Sequence, residues 1–239
     1  MSEPGWMLLL SCEHGGNRVP EPWTALFTGQ ERLLESHRAY DIGIAAFARR
    51  LARELTAPLH LAEVTRLLVE LNRSPGHPAV FSEITRPLPK EQRTSLLEHY
   101  YHPYRSALTR HIEQLLATRA GVCHISLHSF TPELHGEVRN ADIGLLYDPR
   151  RPRERQFCLN WQENITRRKE GWRVRRNYPY RGAADSLFTP LRRRFPAERY
   201  LGFELELNQF WSVNNPARWE SLQRLITETL RETLEQKTV

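Results

Sequence analysis

The sequence predicts an α/β fold, a sheet with helices on both faces, within one domain spanning residues 1–239. Three observations carry this reading. Short apolar or alternating runs that read as strands are separated by stretches of helical periodicity, as crossover connections require. No internal repeat, low-complexity linker or composition shift divides the chain into two cores. Hydrophobic residues make up 40% and charged residues 26% of 239 positions; that is enough for a sizeable core and excludes a disordered or fibrous chain.

The elements follow in order. Met7–Cys12 is an apolar run ended by Glu-His-Gly-Gly, a buried strand and its turn. Gln30–Leu55 carries an apolar stripe at helical spacing, stopped by Pro58. Leu59–Val64 and Leu67–Leu71 are short strand candidates, and Ser74–Pro89, rich in Pro, Gly and Ser, is a long loop of the kind that often carries function. Lys90–Arg119 reads as a long helix. Val122–Phe130 alternates as a strand, with β-branched and aromatic residues, and Ala141–Tyr147 is another. Arg153–Arg167 is helical, Arg173–Gly182 an irregular basic and aromatic loop, and Asp185–Arg194 a short helix. Arg199–Phe210 is a strong strand, and Pro216–Gln236 a closing amphipathic helix with proline in its first turn.

Composition excludes several classes. No apolar run approaches the roughly 20 residues of a membrane span, and Met1–Trp6 lacks the basic flank and apolar stretch of an export signal. Three cysteines, Cys12, Cys123 and Cys158, with no C-x-x-C pair, argue against a disulfide framework or a structural zinc knot and for a reducing cytoplasm. The net charge of +6 comes almost wholly from arginine, and the basic residues are mostly dispersed among acids. A genome's coding preference explains that bias better than a nucleic-acid face, while anionic small substrates stay compatible with it.

In open α/β sheets ligands sit beyond the carboxyl ends of strands, and four groups of chemical residues fall there. His14 follows the first strand on a glycine turn. His128 ends the strand Val122–Phe130; His124, on the same face about 13 Å away, cannot share a metal with it and reads as a core histidine. Glu204 and Glu206 share one face of a central strand, where a buried carboxylate needs a cation or a proton and is suited to general-base work. Asn72 and Arg73 open the long loop, and a guanidinium there can hold a substrate carboxylate by a fork of hydrogen bonds. Two histidines with a carboxylate fit a hydrolytic zinc site of three protein ligands and an open position. No H-E-x-x-H, G-x-S-x-G or P-loop is present.

The chain resembles the N-formylglutamate amidohydrolase family. The resemblance lies in Ser11-Cys-Glu-His-Gly-Gly-Asn-Arg-Val-Pro20, His37-Arg-Ala-Tyr-Asp-Ile-Gly43, Arg66-Leu-Leu-Val-Glu-Leu-Asn-Arg-Ser74, Leu127-His-Ser-Phe-Thr-Pro132, Asp142-Ile-Gly-Leu-Leu-Tyr147, Asn177-Tyr-Pro-Tyr180 and Phe203-Glu-Leu-Glu-Leu-Asn-Gln209, in family order over nearly the whole chain. It implies a carboxypeptidase-like three-layer sandwich with a mixed sheet and one zinc or other divalent ion. His14 and His128 would be metal ligands, Glu206 the carboxylate that activates water, and Asn72 with Arg73 the holders of a substrate carboxylate. Tyr178 or Tyr180 would come from a mobile loop. Carboxypeptidase-like sites use His-x-x-Glu, but position 17 is Asn17, so the acidic ligand comes from elsewhere: Asp41 first, Glu13 second.

The function so implied is hydrolysis of the amide of a small anionic N-acyl amino acid, N-formylglutamate or a relative, by a cytoplasmic enzyme without nucleic-acid or membrane partners. The alternatives are a carboxypeptidase-like peptidase, a hydrolase of another small amide, or a non-catalytic binding protein on the same fold. A binder has no need of the base Glu206. An arginine-rich nucleic-acid binder would betray itself by salt-dependent DNA affinity.

Overall fold

The computed structural model describes residues 5–236. Residues 1–4, part of the stretch read as lacking an export signal, and 237–239 lie outside the described residues.

Among the described residues eight strands are formed: β1 (Trp6–Cys12), β2 (Leu59–Leu61), β3 (Gly121–Phe130), β4 (Glu133–Leu134), β5 (Glu137–Val138), β6 (Ile143–Leu146), β7 (Val174–Arg176) and β8 (Tyr200–Asn208). Six of them make one mixed sheet in the order β2-β1-β3-β8-β6-β7, and β4 and β5 form a separate hairpin. β2, β1, β3 and β8 are parallel; β6 runs antiparallel to β8, and β7 parallel to β6. The helices are α1 (Glu31–Leu34), α2 (Ile44–Glu54), α3 (Lys90–Leu96), α4 (His102–Thr118), α5 (Pro152–Arg167), α6 (Phe188–Arg194), α7 (Gln209–Asn214) and α8 (Pro216–Glu235). None is long and apolar enough to cross a membrane. The expected three-layer α/β sandwich is therefore present, with a mixed sheet.

Strand alternation sorts the side chains. Leu8, Leu10, Ile125, Leu127, Phe203, Leu205 and Leu207 face α2, α5 and α8 and fill the larger core with Phe47, Trp161 and Ile226. The opposite face is apolar only at its foot, where Leu9, Val122 and Tyr200 meet Leu108 and Ile112 of α4 and Phe188 and Leu191 of α6. Toward the carboxyl ends of β3 and β8 the same face turns polar, with Ser126, His128, Glu204 and Glu206, all buried. A polar end on a buried sheet face marks the site.

Four expectations change. Leu67–Leu71 is a buried turn rather than a strand, because Leu67 and Leu68 pack under Phe27 and Leu96 while Val69 and Leu71 pack with Val80 and Tyr101; both sides are covered and no edge is left to pair. The periodic stretch Gln30–Leu55 is broken between α1 and α2, where Gly43 takes a left-handed φ of 82° ahead of α2. The long helix Lys90–Arg119 contains a π turn at Leu97–Tyr101. The loop Arg173–Gly182 contributes β7 to the sheet edge.

His124 is fully buried, bonded to the Ser11 hydroxyl and the Tyr200 phenol at 2.8 Å each. Burial holds its pKa down at about 3. The unfolded chain binds that proton with a pKa of about 6.5, so His124 costs nothing above that pH and destabilises the fold as pH falls from about 6.5 toward about 3. The slope approaches about 1.4 kcal/mol per pH unit. In His124→Gln, the loss of denaturant midpoint between pH 6.5 and 4 is expected to be smaller than in the unaltered chain; equal losses would mean the acid sensitivity lies elsewhere.

Candidate active site

Each strand end delivers one component. β1 ends at Cys12 and His14 follows it in a turn that passes against residues 62–63, with the Gly15 N–H donating to the Ala62 carbonyl at 3.0 Å. A Cβ on Gly16 would collide with the Glu63 carbonyl oxygen, so this close approach admits only glycine. The break between α1 and α2 supplies the next component: the Asp41 N–H donates to the His14 carbonyl at 2.9 Å, which ties Asp41 beside the histidine. His128 stands opposite Glu206 in the β3–β8 register, one pair above Ser126 and Glu204 on the same face.

His14, Asp41 and His128 converge. The two Nδ1 atoms lie 3.2 Å apart, and Asp41 Oδ2 lies 3.0 Å from His128 Nδ1 and 3.5 Å from His14 Nδ1. Three donors each about 2.0–2.1 Å from a tetrahedral ion would be separated by about 3.3–3.4 Å. The triangle therefore fits a divalent ion in size and in ligand chemistry.

The far nitrogens are held as metal-bound imidazoles usually are. His14 Nε2 bonds Glu70. His128 Nε2 lies 2.8 Å from the Ser126 hydroxyl and 3.2 Å from Glu13 Oε2. Glu70 in turn accepts from Arg66 at 2.8 and 2.5 Å, and Arg66 reaches Asp41 at 3.3 Å. Burial alone would raise all three acids. For Glu13 it is outweighed by His128, Ser126 and Tyr104, which hold the carboxyl down at about 2. Asp41 is depressed below the usual carboxylate range by the two histidines, and Glu70 by Arg66 and His14.

Glu206 behaves oppositely. Burial, aided by the charges of Asp41 and Glu204, pushes its carboxyl up to about 8 despite His128. Its Oε2 is buried without a hydrogen-bond partner among the described residues. Gly144 sets its position: a Cβ there would collide with the Tyr178 carbonyl oxygen and lie 3.1 Å from Glu206 Cβ. A proton acceptor next to the metal triangle, with one oxygen free, can serve a water.

His14, Asp41, His128 and Glu206 share a cavity of about 280 Å³ with Asn72 and Arg73, a volume suited to a small ligand. Arg73 Nη1 donates to the Asp185 carbonyl, and Ser74 binds the Asp185 carboxylate through its N–H at 2.8 Å and through its hydroxyl. Asn72 Oδ1 accepts from the Leu187 N–H at 2.8 Å. Tyr180 lines the cavity mouth. Tyr178 does not reach it: its phenol accepts from the Asn140 N–H at 3.0 Å, with the Arg175 guanidinium 4.0 Å over its ring. Glu13, the second choice for acidic ligand, lies behind His128 rather than in the triangle. Asn17 points away and donates to the Leu34 carbonyl at 2.9 Å. Sequence reasoning missed Glu70, Arg66 and Asp185. A signal existed for Glu70, a lone acid inside the apolar run Leu67–Leu71.

The sequence model described as N-formylglutamate amidohydrolase matches residues 6–211. Among solved structures, the chain is similar to the gene product Atu2144 from Agrobacterium tumefaciens, at 27% identity and a TM-score of 0.77 over 96% of this chain and 92% of that one. It is also similar in fold to an N-formylglutamate amidohydrolase from Ralstonia eutropha JMP134, at 20% identity and a TM-score of 0.67 over 97% and 94%. No curated protein matches the chain.

Removing the acid behind His14 tests the supporting role assigned to it. Glu70→Gln is expected to weaken divalent-ion binding by about 10–100-fold, measured by competition with a chromophoric chelator. An unchanged affinity would show that Glu70 does not orient His14 for a metal.

Proposed function

The chain belongs to the N-formylglutamate amidohydrolase family, and on that premise we propose that it is a zinc-dependent hydrolase that opens the amide of a small N-acyl amino acid with water. Its amide-hydrolase character comes with the family. The metal, the residue roles and the substrate rest on one observation above others, the meeting of the His14–Asp41–His128 triangle with an unpartnered Glu206 in one cavity.

A divalent ion held by His14, Asp41 and His128 would polarise the acyl carbonyl and make water a better nucleophile at neutral pH. Glu206 takes the proton from the attacking water and returns it to the leaving amine nitrogen. A cation held beside it would lower the high pKa that burial gives this carboxyl and leave it poised to accept. Arg73 holds the substrate carboxylate, and Asn72 fixes the adjoining chain. Tyr180, Arg181, Ala184, Asp185 and Ser186 line the cavity, and among the described residues none of the loop Ser74–Pro89 is part of that lining. We read residues 1–239 as one catalytic unit working in the cytoplasm, which the three free, buried cysteines favour. N-formylglutamate, the substrate in the family's name, is the first compound to assay.

Two substitutions test the roles. Glu206→Gln is expected to retain one bound divalent ion per chain by elemental analysis while kcat falls by about 10²–10⁴-fold; full turnover in that variant would remove Glu206 from the mechanism. Arg73→Lys is expected to lower kcat/KM for carboxylate-bearing substrates by about 10-fold or more, since an ammonium cannot reproduce the planar fork. Matched amides without the carboxylate should be spared. Equal losses on both would make Arg73 structural.

A further inference from the structure

A second cavity, of about 240 Å³, opens between the β4–β5 hairpin and α7. None of its lining residues lines the first cavity. Pro132 and Val138 form one wall, Phe210 and Trp211 the other. Val138 is 75% exposed and Phe210 43%, two of the few large hydrophobic residues that the fold leaves uncovered. Apolar side chains gathered around a surface concavity mark a place where something binds.

One cation of this cleft is unanswered. The acid of the wall, Asp142, is taken up by Arg173 and by the Trp211 indole N–H at 3.0 Å. Arg139 is fixed where the hairpin closes, its N–H donating to the Pro132 carbonyl at 2.7 Å. Its guanidinium lies 4.9 Å over the Tyr180 ring, and its Nη1 is buried with no hydrogen-bond partner among the described residues. An aromatic face attracts the plane of a guanidinium but gives its N–H edge no acceptor. Glu133 and Glu137 of the same hairpin are exposed, and among the described residues neither pairs with it. A buried N–H edge of a charged group calls for an acceptor, and a carboxylate matches the fork best. The apolar walls beside it call for a hydrocarbon body. An inorganic anion would leave those walls wet, and a plain hydrocarbon would leave the guanidinium unmet.

We propose that this cleft is a second binding site, distinct from the one that carries the reaction, for a small monocarboxylic acid with an aromatic or branched aliphatic body. The carboxylate lies on Arg139 and the body between Val138 and Phe210, against Trp211. The site needs neither a metal nor Glu206, so it stands apart from the hydrolase reading.

The test is titration of the full chain with phenylacetate, phenylacetamide and acetate. Binding is read by NMR at the Trp211 indole N–H, whose signal is identified by its loss in Trp211→Phe. Phenylacetate is expected to bind at least about 10-fold more tightly than the amide, which lacks the charge, and than acetate, which lacks the body. In Arg139→Gln the affinity for phenylacetate should fall to that for the amide. The amide itself should bind as before, which shows the cleft intact. In Phe210→Ala phenylacetate should fall toward acetate. A preference for phenylacetate over the amide that survives in Arg139→Gln overturns the proposal. So does phenylacetate that leaves the Trp211 signal unmoved, whether it binds elsewhere on the chain or not at all.

Discussion

The demand that organises this molecule is electrostatic: two imidazole nitrogens and a carboxylate oxygen, all buried, stand within 3.5 Å of one another. Two neutral Nδ1 acceptors at 3.2 Å repel unless a cation or a proton lies between them. Much of the surrounding architecture answers that demand. Glu70 and Arg66 hold His14 from behind; Ser126, Glu13 and Tyr104 hold His128. Basic neighbours hold the carboxyls of Glu13, Asp41 and Glu70 down against their burial, and Glu206, with less such help, is pushed up.

The fold places this demand where it can be met. One face of the sheet is apolar along most of its length, and the other is apolar only at the foot. The larger core on the first face anchors β3 and β8, so the polar ends of these two strands are held by packing that takes no part in the chemistry. The site components themselves come from turns beyond β1 and before α2, and from the loops at 72–74 and 180–186, which the rigid strands register against one another.

Much of this was legible in the residues. His14, His128, Asn72 and Arg73 were readable because each falls at the carboxyl end of an apolar run, where an α/β sheet opens its crevice; Glu206 was separated from Glu204 only by the family resemblance. Asp41 was reached only through the family resemblance, because periodicity reads straight through Ser36–Gly43 and the break that ties Asp41 to the His14 carbonyl is a tertiary bond. Glu70 was hidden by the strand-like look of Leu67–Leu71: alternation treats one acid in such a run as a solvent-facing residue, whereas both sides of this turn are covered. Asp185 could not be found at all, since its role is to bind Ser74, 111 residues away in sequence. Tyr178 and Tyr180 look equivalent in sequence, and only the path of the loop separates them.

The π turn at Leu97–Tyr101 has a mechanical consequence. An extra residue in that turn rotates the start of α4 relative to α3, and three side chains of the same stretch reach different parts of the site. Tyr101 donates to the Arg73 carbonyl at 2.7 Å, Arg105 to the carbonyls of Leu71 and Leu187 at 2.8 and 3.3 Å, and Tyr104 to Glu13 at 2.7 Å. One rod thus braces the loop that carries Asn72 and Arg73 and the acid behind His128. Its register is a shared adjustment: a slip or a length change in α4 would move the Arg73 side and the His128 side of the cavity together, so the two walls are bound to vary as one trait whenever that helix is altered.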